Sequence, residues 1–233
     1  MRGWGPALVV GVLGLLPSAA GAHLFHKFYE PPETQLTRDY RVLHLLLEQP
    51  EDHFDLARRV YDGETRVRLK PGGFRRWLVR PAEPGLVLKA DFQRRRWSGT
   101  LRKEVERIDR SRGTQLARRI DDGLARRDRE AVLTAFRQAF AVFLEELLGS
   151  VGKRLGRPET AVRLYPYVIG YYTVSLQAYL TIHHPFAARV AHSALDGMAR
   201  AAASPQVGAP PSPAAFQEHQ RRFLRAVRGA IGR

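Results

Sequence analysis

From residue 36 onward the apolar positions recur mostly at intervals of three and four, the period of an amphipathic helix. LTRDYRVLHLLLEQ (36–49) gathers Leu43, Leu46 and Leu47 on one side and predicts a first helix. PEDHFDLARRVYDG (50–63) predicts a second, with Pro50 at the first helical position, Glu51 and Asp52 in the first turn and Gly63 as the stop. Between 97 and 131, Leu101, Val105 and Ile108 form one apolar stripe and Leu116, Ile120 and Leu124 another, with Arg112-Gly113 between them. Two charged helices are expected there, each turning a narrow face to a neighbour. The widest apolar face belongs to REAVLTAFRQAFAVFLEELLGSVGKRLG (129–156), through Val132, Phe136, Phe140, Phe143, Leu144, Leu147 and Leu148, with Gly156 closing the helix. Pro158 opens the next, which runs past Leu164, Val168, Tyr171, Tyr172, Leu176, Tyr179 and Leu180 to His183. Pro166 lacks a donor N–H and should kink it near its start. FAARVAHSALDGMARAAA (186–203) predicts a shorter, alanine-rich helix.

Two stretches depart from this period. In 65–81, Val67 and Leu69 alternate with Arg66, Arg68 and Lys70, Pro71-Gly72-Gly73 makes a turn, and the chain returns over 74–79, a hairpin pattern. LVLKADF (86–92) either adds a strand or starts a helix. SPQVGAPPSP (204–213) has the composition of a linker. Beyond it, Phe216, Phe223, Leu224, Val227 and Ile231 fall on one helical face, and Arg221, Arg222, Arg225 and Arg228 take the other side. The expected fold is mainly α. It is a helical bundle of about five to seven helices over 23–203, with a small β-hairpin insert at about 65–92. The linker 204–213 then tethers a basic amphipathic C-terminal helix over 214–233.

The start of the chain has another character. Arg2, the apolar run ALVVGVLGLL (7–16), Pro17, and small residues at Ala20 and Ala22 make the pattern of a secretory signal peptide over 1–22. The run is shorter than the ~20 residues a membrane span needs. Cleavage after Ala22 and export, to the periplasm or the cell exterior, are the expectation. The roughly 210 residues that would remain are enough to bury a core, since a domain above ~150 residues buries about 70% of its unfolded surface.

Charge and composition then narrow the function. With 38 Lys and Arg against 23 Asp and Glu, the formal net charge is +15, most of the cations being arginine. Such a chain attracts nucleic acid, anionic lipid head groups, acidic proteins or acidic glycans; nucleic acid is the least available of these if the protein is exported. The absence of cysteine excludes disulfides, thiolate nucleophiles, haem held by C-x-x-C-H and cysteine-ligated clusters. There is no G-x-S-x-G elbow, H-E-x-x-H helix or glycine-rich phosphate loop. His192, Ser193 and Asp196 are triad residue types, but on one helical turn they cannot align as a proton relay. The balance points away from an enzyme.

Three sets of residues carry candidate chemistry. In the tail, Phe216, Phe223, Arg221, Arg222, Arg225 and Arg228 suit an anionic membrane surface, apolar side in the acyl boundary and arginines on phosphates. The same apolar face also suits docking on the bundle as a last helix. In FRRW (74–77) and QRRRW (93–97), Arg75, Arg76, Arg94, Arg95 and Arg96 stand beside tryptophan, which suits phosphate or sulfate and equally a solvated edge covering the core. Thirdly, cleavage after Ala22 would leave His23 as the first residue, whose amine and ring nitrogen chelate Cu²⁺, with His26 or the pair His183-His184 supplying a second imidazole. At that one residue the arrangement resembles the histidine brace of copper oxygenases and copper chaperones. Copper is the one cofactor candidate; the histidine pair also suits the negative end of a helix dipole. Glu145 is expected to pair with an arginine and Glu146 to face water. A small-ligand pocket, if one exists, is expected between the 129–156 and 158–183 helices.

Two functions follow. The first is an exported, non-enzymatic helical protein binding an anionic envelope surface or acidic partner. The second is a periplasmic copper-handling protein using the histidine terminus.

Overall fold

Thr34 opens the first described helix, α1 (Gln35–Glu48), through a reciprocal capping box. Its hydroxyl accepts from the Thr37 amide, and the Thr37 hydroxyl accepts from the Thr34 amide. The computed structural model describes residues 34–64, 66–68, 89–91, 100–202 and 211–232. Left-handed glycines, Gly63 at φ 75° and Gly113 at φ 67°, end α2 (Phe54–Asp62) and α3 (Leu101–Arg112). α4 (Leu116–Arg126) ends on Arg127, and Asp128 at once caps α5 (Arg129–Gly152) by accepting from the Ala131 amide. Pro158 opens α6 (Pro158–Tyr172), which passes through a π-helical turn at Thr173–Gln177 into α7 (Ala178–His183). Pro185 opens α8 (Pro185–Ala201), and Ser212-Pro213 opens α9 (Pro213–Ile231).

Several expected boundaries move for local reasons. The second helix begins at Phe54 and not at Pro50, because the Asp52 carboxylate takes the Phe54 amide and holds 50–53 outside the helix. α5 stops at Gly152, short of Gly156; Arg157, preceding Pro158, is pushed to φ −127°, ψ 78°, so the chain between makes turns. Pro166 lies inside α6 without ending it. Further on the helix makes a π-turn, where the Ser175 hydroxyl donates to the Tyr171 carbonyl at 2.6 Å.

The mainly α expectation holds, and the hairpin insert is not supported. Arg66–Arg68 (β1) pairs antiparallel with Lys89–Asp91 (β2), Val67 opposite Ala90. The turn expected at 71–73 and the return at 74–79 lie outside the described residues, as do the expected signal peptide (1–22) and most of the expected linker. Taking 158–183 as one helix, the described residues hold seven helices before the linker, the upper end of the number expected there, and the C-terminal helix makes eight. The eighth is the C-terminal segment, which is no tether but a member of the bundle.

The buried side chains form two clusters that share α5. Its N-terminal half joins α1 to α4 through Tyr40, Leu43, Tyr61, Ile108, Ile120, Phe136 and Phe140. Its C-terminal half joins α6 to α9 through Leu144, Leu148, Val168, Tyr172, Leu180, Met198, Phe216, Phe223 and Val227. On α1, the His44 ring stacks on Tyr40 at 5.7 Å, with Nε2 3.4 Å from the Glu48 carboxylate. Burial pushes the His44 pKa down, and the pull of Glu48 the other way does not restore it. The folded state therefore disfavours imidazolium at this position. The resulting stability is fully present above the unfolded value near ~6.5 and is lost as pH falls from there through the depressed folded value. Between about pH 7.5 and about pH 5.5, the melting temperature of the wild type is expected to fall more steeply than that of His44→Gln. Parallel slopes in thermal melts would show that His44 contributes nothing.

Candidate anion-binding surface

α8 and α9 run antiparallel. At one end the Ser212 amide donates to the Ala201 carbonyl at 2.8 Å, and further along the His219 ring lies against Gly197. A Cβ at Gly197 would stand 2.4 Å from that ring, so only glycine permits this approach. Toward the other end Ala187 and Val190 of α8 meet Ala226, Gly229 and Ala230 of α9. These side chains are too short to fill the space between the helices, and a groove of about 570 Å³ is left. His184, Pro185 and Phe186 line it from the start of α8, and Arg222 and Arg225 from α9; among the described residues no carboxylate lines it. Among the described residues neither Arg222 nor Arg225 has an ion pair or hydrogen bond, and both are exposed.

The corner between α7 and α8 carries two large apolar side chains in water: Ile182 is 72% exposed and Phe186 71%. The Arg189 guanidinium lies 5.9 Å from the centre of the Phe186 ring. The corner is braced from inside. Tyr179 packs against the rings of His183 and His184, at 5.0 and 5.4 Å, and its hydroxyl is 3.3 Å from His184 Nε2. Arg137 reaches from α5 to set its guanidinium 3.8 Å over the Tyr179 ring, and donates to Glu130 at 2.5 Å. That hydrogen bond holds the Glu130 carboxyl below its ordinary pKa.

The structure separates the tail residues that the pattern grouped together. Phe216 and Phe223 are fully buried, with Phe223 edge-on to Tyr172 at 5.6 Å, so neither faces a membrane. Burial pushes the Tyr172 pKa up to about 12. Arg228 pairs with Glu145 at 2.7 Å, and Arg112 reaches the same carboxylate at 3.1 Å, tying α9 to α5 and α3. Arg221, Arg222 and Arg225 stay on the exposed side. Glu146 does not simply face water, since both its oxygens take the Arg107 guanidinium, at 3.0 and 2.7 Å.

His183 and His184 are ring partners of Tyr179, and among the described residues no three His, Asp or Glu side chains converge as a metal site. His23, His26, Arg75, Arg76, Arg94, Arg95 and Arg96 lie outside the described residues. Pattern reading missed Ile182 and Phe186. The signal lay in TIHHPF (181–186), where apolar residues flank a helix-ending His-His-Pro, and only the histidines drew attention.

A second cleft, of about 490 Å³, lies between α5 and the starts of α1 and α3, and the 158–183 helix contributes only Tyr171 to its lining. Phe143 and Leu147 line it from α5. Its charges are matched internally. Arg107 bridges Glu104 and Glu146, and Asp39 accepts from Gln35 Nε2 at 2.5 Å. No protein-family model, curated protein or solved structure matches the chain. The chemistry of the α8–α9 surface is therefore what a functional reading has to work from.

Proposed function

We propose that this is an exported, non-enzymatic helical protein that binds an anionic membrane surface through the α7–α8 corner and the adjoining arginine face of α9. One observation supports it above the rest. Ile182 and Phe186 project into water, Phe186 lies beside Arg189 and lines the same groove as Arg222 and Arg225, and among the described residues no carboxylate lines that groove. Apolar side chains next to unpaired cations match the acyl boundary and phosphate layer of an anionic leaflet. Burial is worth about 1.5–3 kcal/mol for each large apolar side chain, and each arginine near an anionic surface about 1 kcal/mol. The net charge of +15 acts in the same direction over longer range.

Co-sedimentation of the purified protein with vesicles tests this. Binding is expected to phosphatidylcholine vesicles that contain phosphatidylglycerol, and to fall steeply as salt rises to about 0.5 M. Replacing both Ile182 and Phe186 by Asp should weaken it by about a hundredfold, the equivalent of about 3 kcal/mol. Equal binding to neutral and anionic vesicles, or none to either, overturns the proposal. Binding to an acidic protein in place of vesicles would do the same.

A further inference from the structure

We propose that the α8–α9 groove holds one acyl chain of an anionic phospholipid, with the headgroup phosphate on Arg222 and Arg225. This rests on the reading of the surface as one that meets an anionic membrane, and it adds a single-lipid site to a peripheral contact. The volume of about 570 Å³ falls within the ~300–1,000 Å³ of ordinary small-molecule sites. Its apolar lining includes the methyls of Ala187, Val190, Ala226 and Ala230, which accommodate methylenes, and apart from the two arginines His184 is its one polar side chain among the described residues. The two guanidiniums stand three residues apart on α9, a spacing that puts neighbouring side chains on one face, and guanidinium binds phosphate in a bidentate way. An apolar slot edged by unpaired cations on one side is the chemical complement of a chain that carries an anionic head.

Gly229 provides a selective test. A Cβ there would meet nothing within 4 Å, so Gly229→Leu fills the groove without straining the helix, and leucine is the better helix former. Calorimetric titration uses the delipidated full chain and two probes below their micelle concentrations, lysophosphatidylglycerol and lysophosphatidylcholine, which share a chain and differ in head charge. The anionic probe is expected to bind about tenfold tighter or more. Gly229→Leu should weaken it by at least about tenfold, and the double variant Arg222→Glu, Arg225→Glu should erase the preference between heads. Thermal melts should show all variants folded.

Gly229→Leu should still bind anionic vesicles in preference to neutral ones, because Ile182, Phe186 and the arginines are untouched. Unchanged lysolipid affinity in Gly229→Leu, or equal affinity for the two heads in the wild type, overturns the groove assignment even if vesicle binding stands. Loss of wild-type vesicle binding with the lysolipid preference intact overturns the membrane-surface reading instead. A monomer–dimer equilibrium abolished by Gly229→Leu, with no lysolipid binding, overturns the lipid assignment in favour of a second copy of the chain.

Discussion

A chain ending at Pro213 is expected to lose the cooperative unfolding of the half of the bundle built from α5 to α9. α9 supplies Phe216, Phe223 and Val227, all 0% exposed, and its Arg228 pairs with Glu145 on α5. Each large apolar side chain removed from a core forfeits about 1.5–3 kcal/mol, against a whole-domain stability of about 5–15 kcal/mol. The truncation also lays open Tyr172, whose ring Phe223 meets at 5.6 Å. Circular dichroism with hydrogen exchange should find α6 to α8 unprotected. A point variant keeps the experiment quantitative: Phe223→Ala should destabilise by about 3–5 kcal/mol. A truncated protein that melts cooperatively at the wild-type temperature would mean that α9 is peripheral after all.

Phe140→Ala is expected to produce the largest single-residue loss in the other half. The Phe140 ring meets Tyr40 at 4.6 Å, Phe143 at 5.5 Å and Tyr171 at 5.8 Å, so its removal opens a void between α1, α5 and α6. Such a truncation costs about 3–5 kcal/mol, and for a chain of this size about 2–4 °C per kcal/mol lowers the melting temperature by about 6–20 °C. Phe140→Leu keeps most of the volume and should lose less. A melting temperature within about 2 °C of wild type for the alanine variant would contradict the packing described here. Since α5 belongs to both clusters, loss of Phe140 should also loosen Tyr171, which packs against both.

What could be read from the chain was whatever depends on near neighbours. Gly63 and Gly113 stop helices because they adopt the left-handed backbone that other residues avoid, and Pro158 and Pro185 start them because a first-turn residue needs no donor. The stripes at 101–108 and 116–124 identified buried faces for the same reason: periodicity is local geometry. Errors of boundary, such as Phe54 in place of Pro50, came from one side chain competing for one amide.

Partnership is another matter, because an apolar face records that it must leave water and not what covers it. Phe216 and Phe223 would look the same in sequence against lipid or against α5, α6 and α8. The choice fell to the fold, which puts Tyr172 and Gly152 where those rings need contact and Glu145 where Arg228 needs a charge. Conversely Ile182 and Phe186 belong to no stripe, and their exposure follows from the turn that Pro185 imposes between two packed helices. The groove beside them exists because short side chains from segments about forty residues apart fall opposite each other. Helix periods, stops and net charge were thus determined by the sequence alone. Which faces are covered, which arginines are left unpaired and where space remains were decided by tertiary packing, since those depend on side chains that only the completed fold brings within a few ångströms.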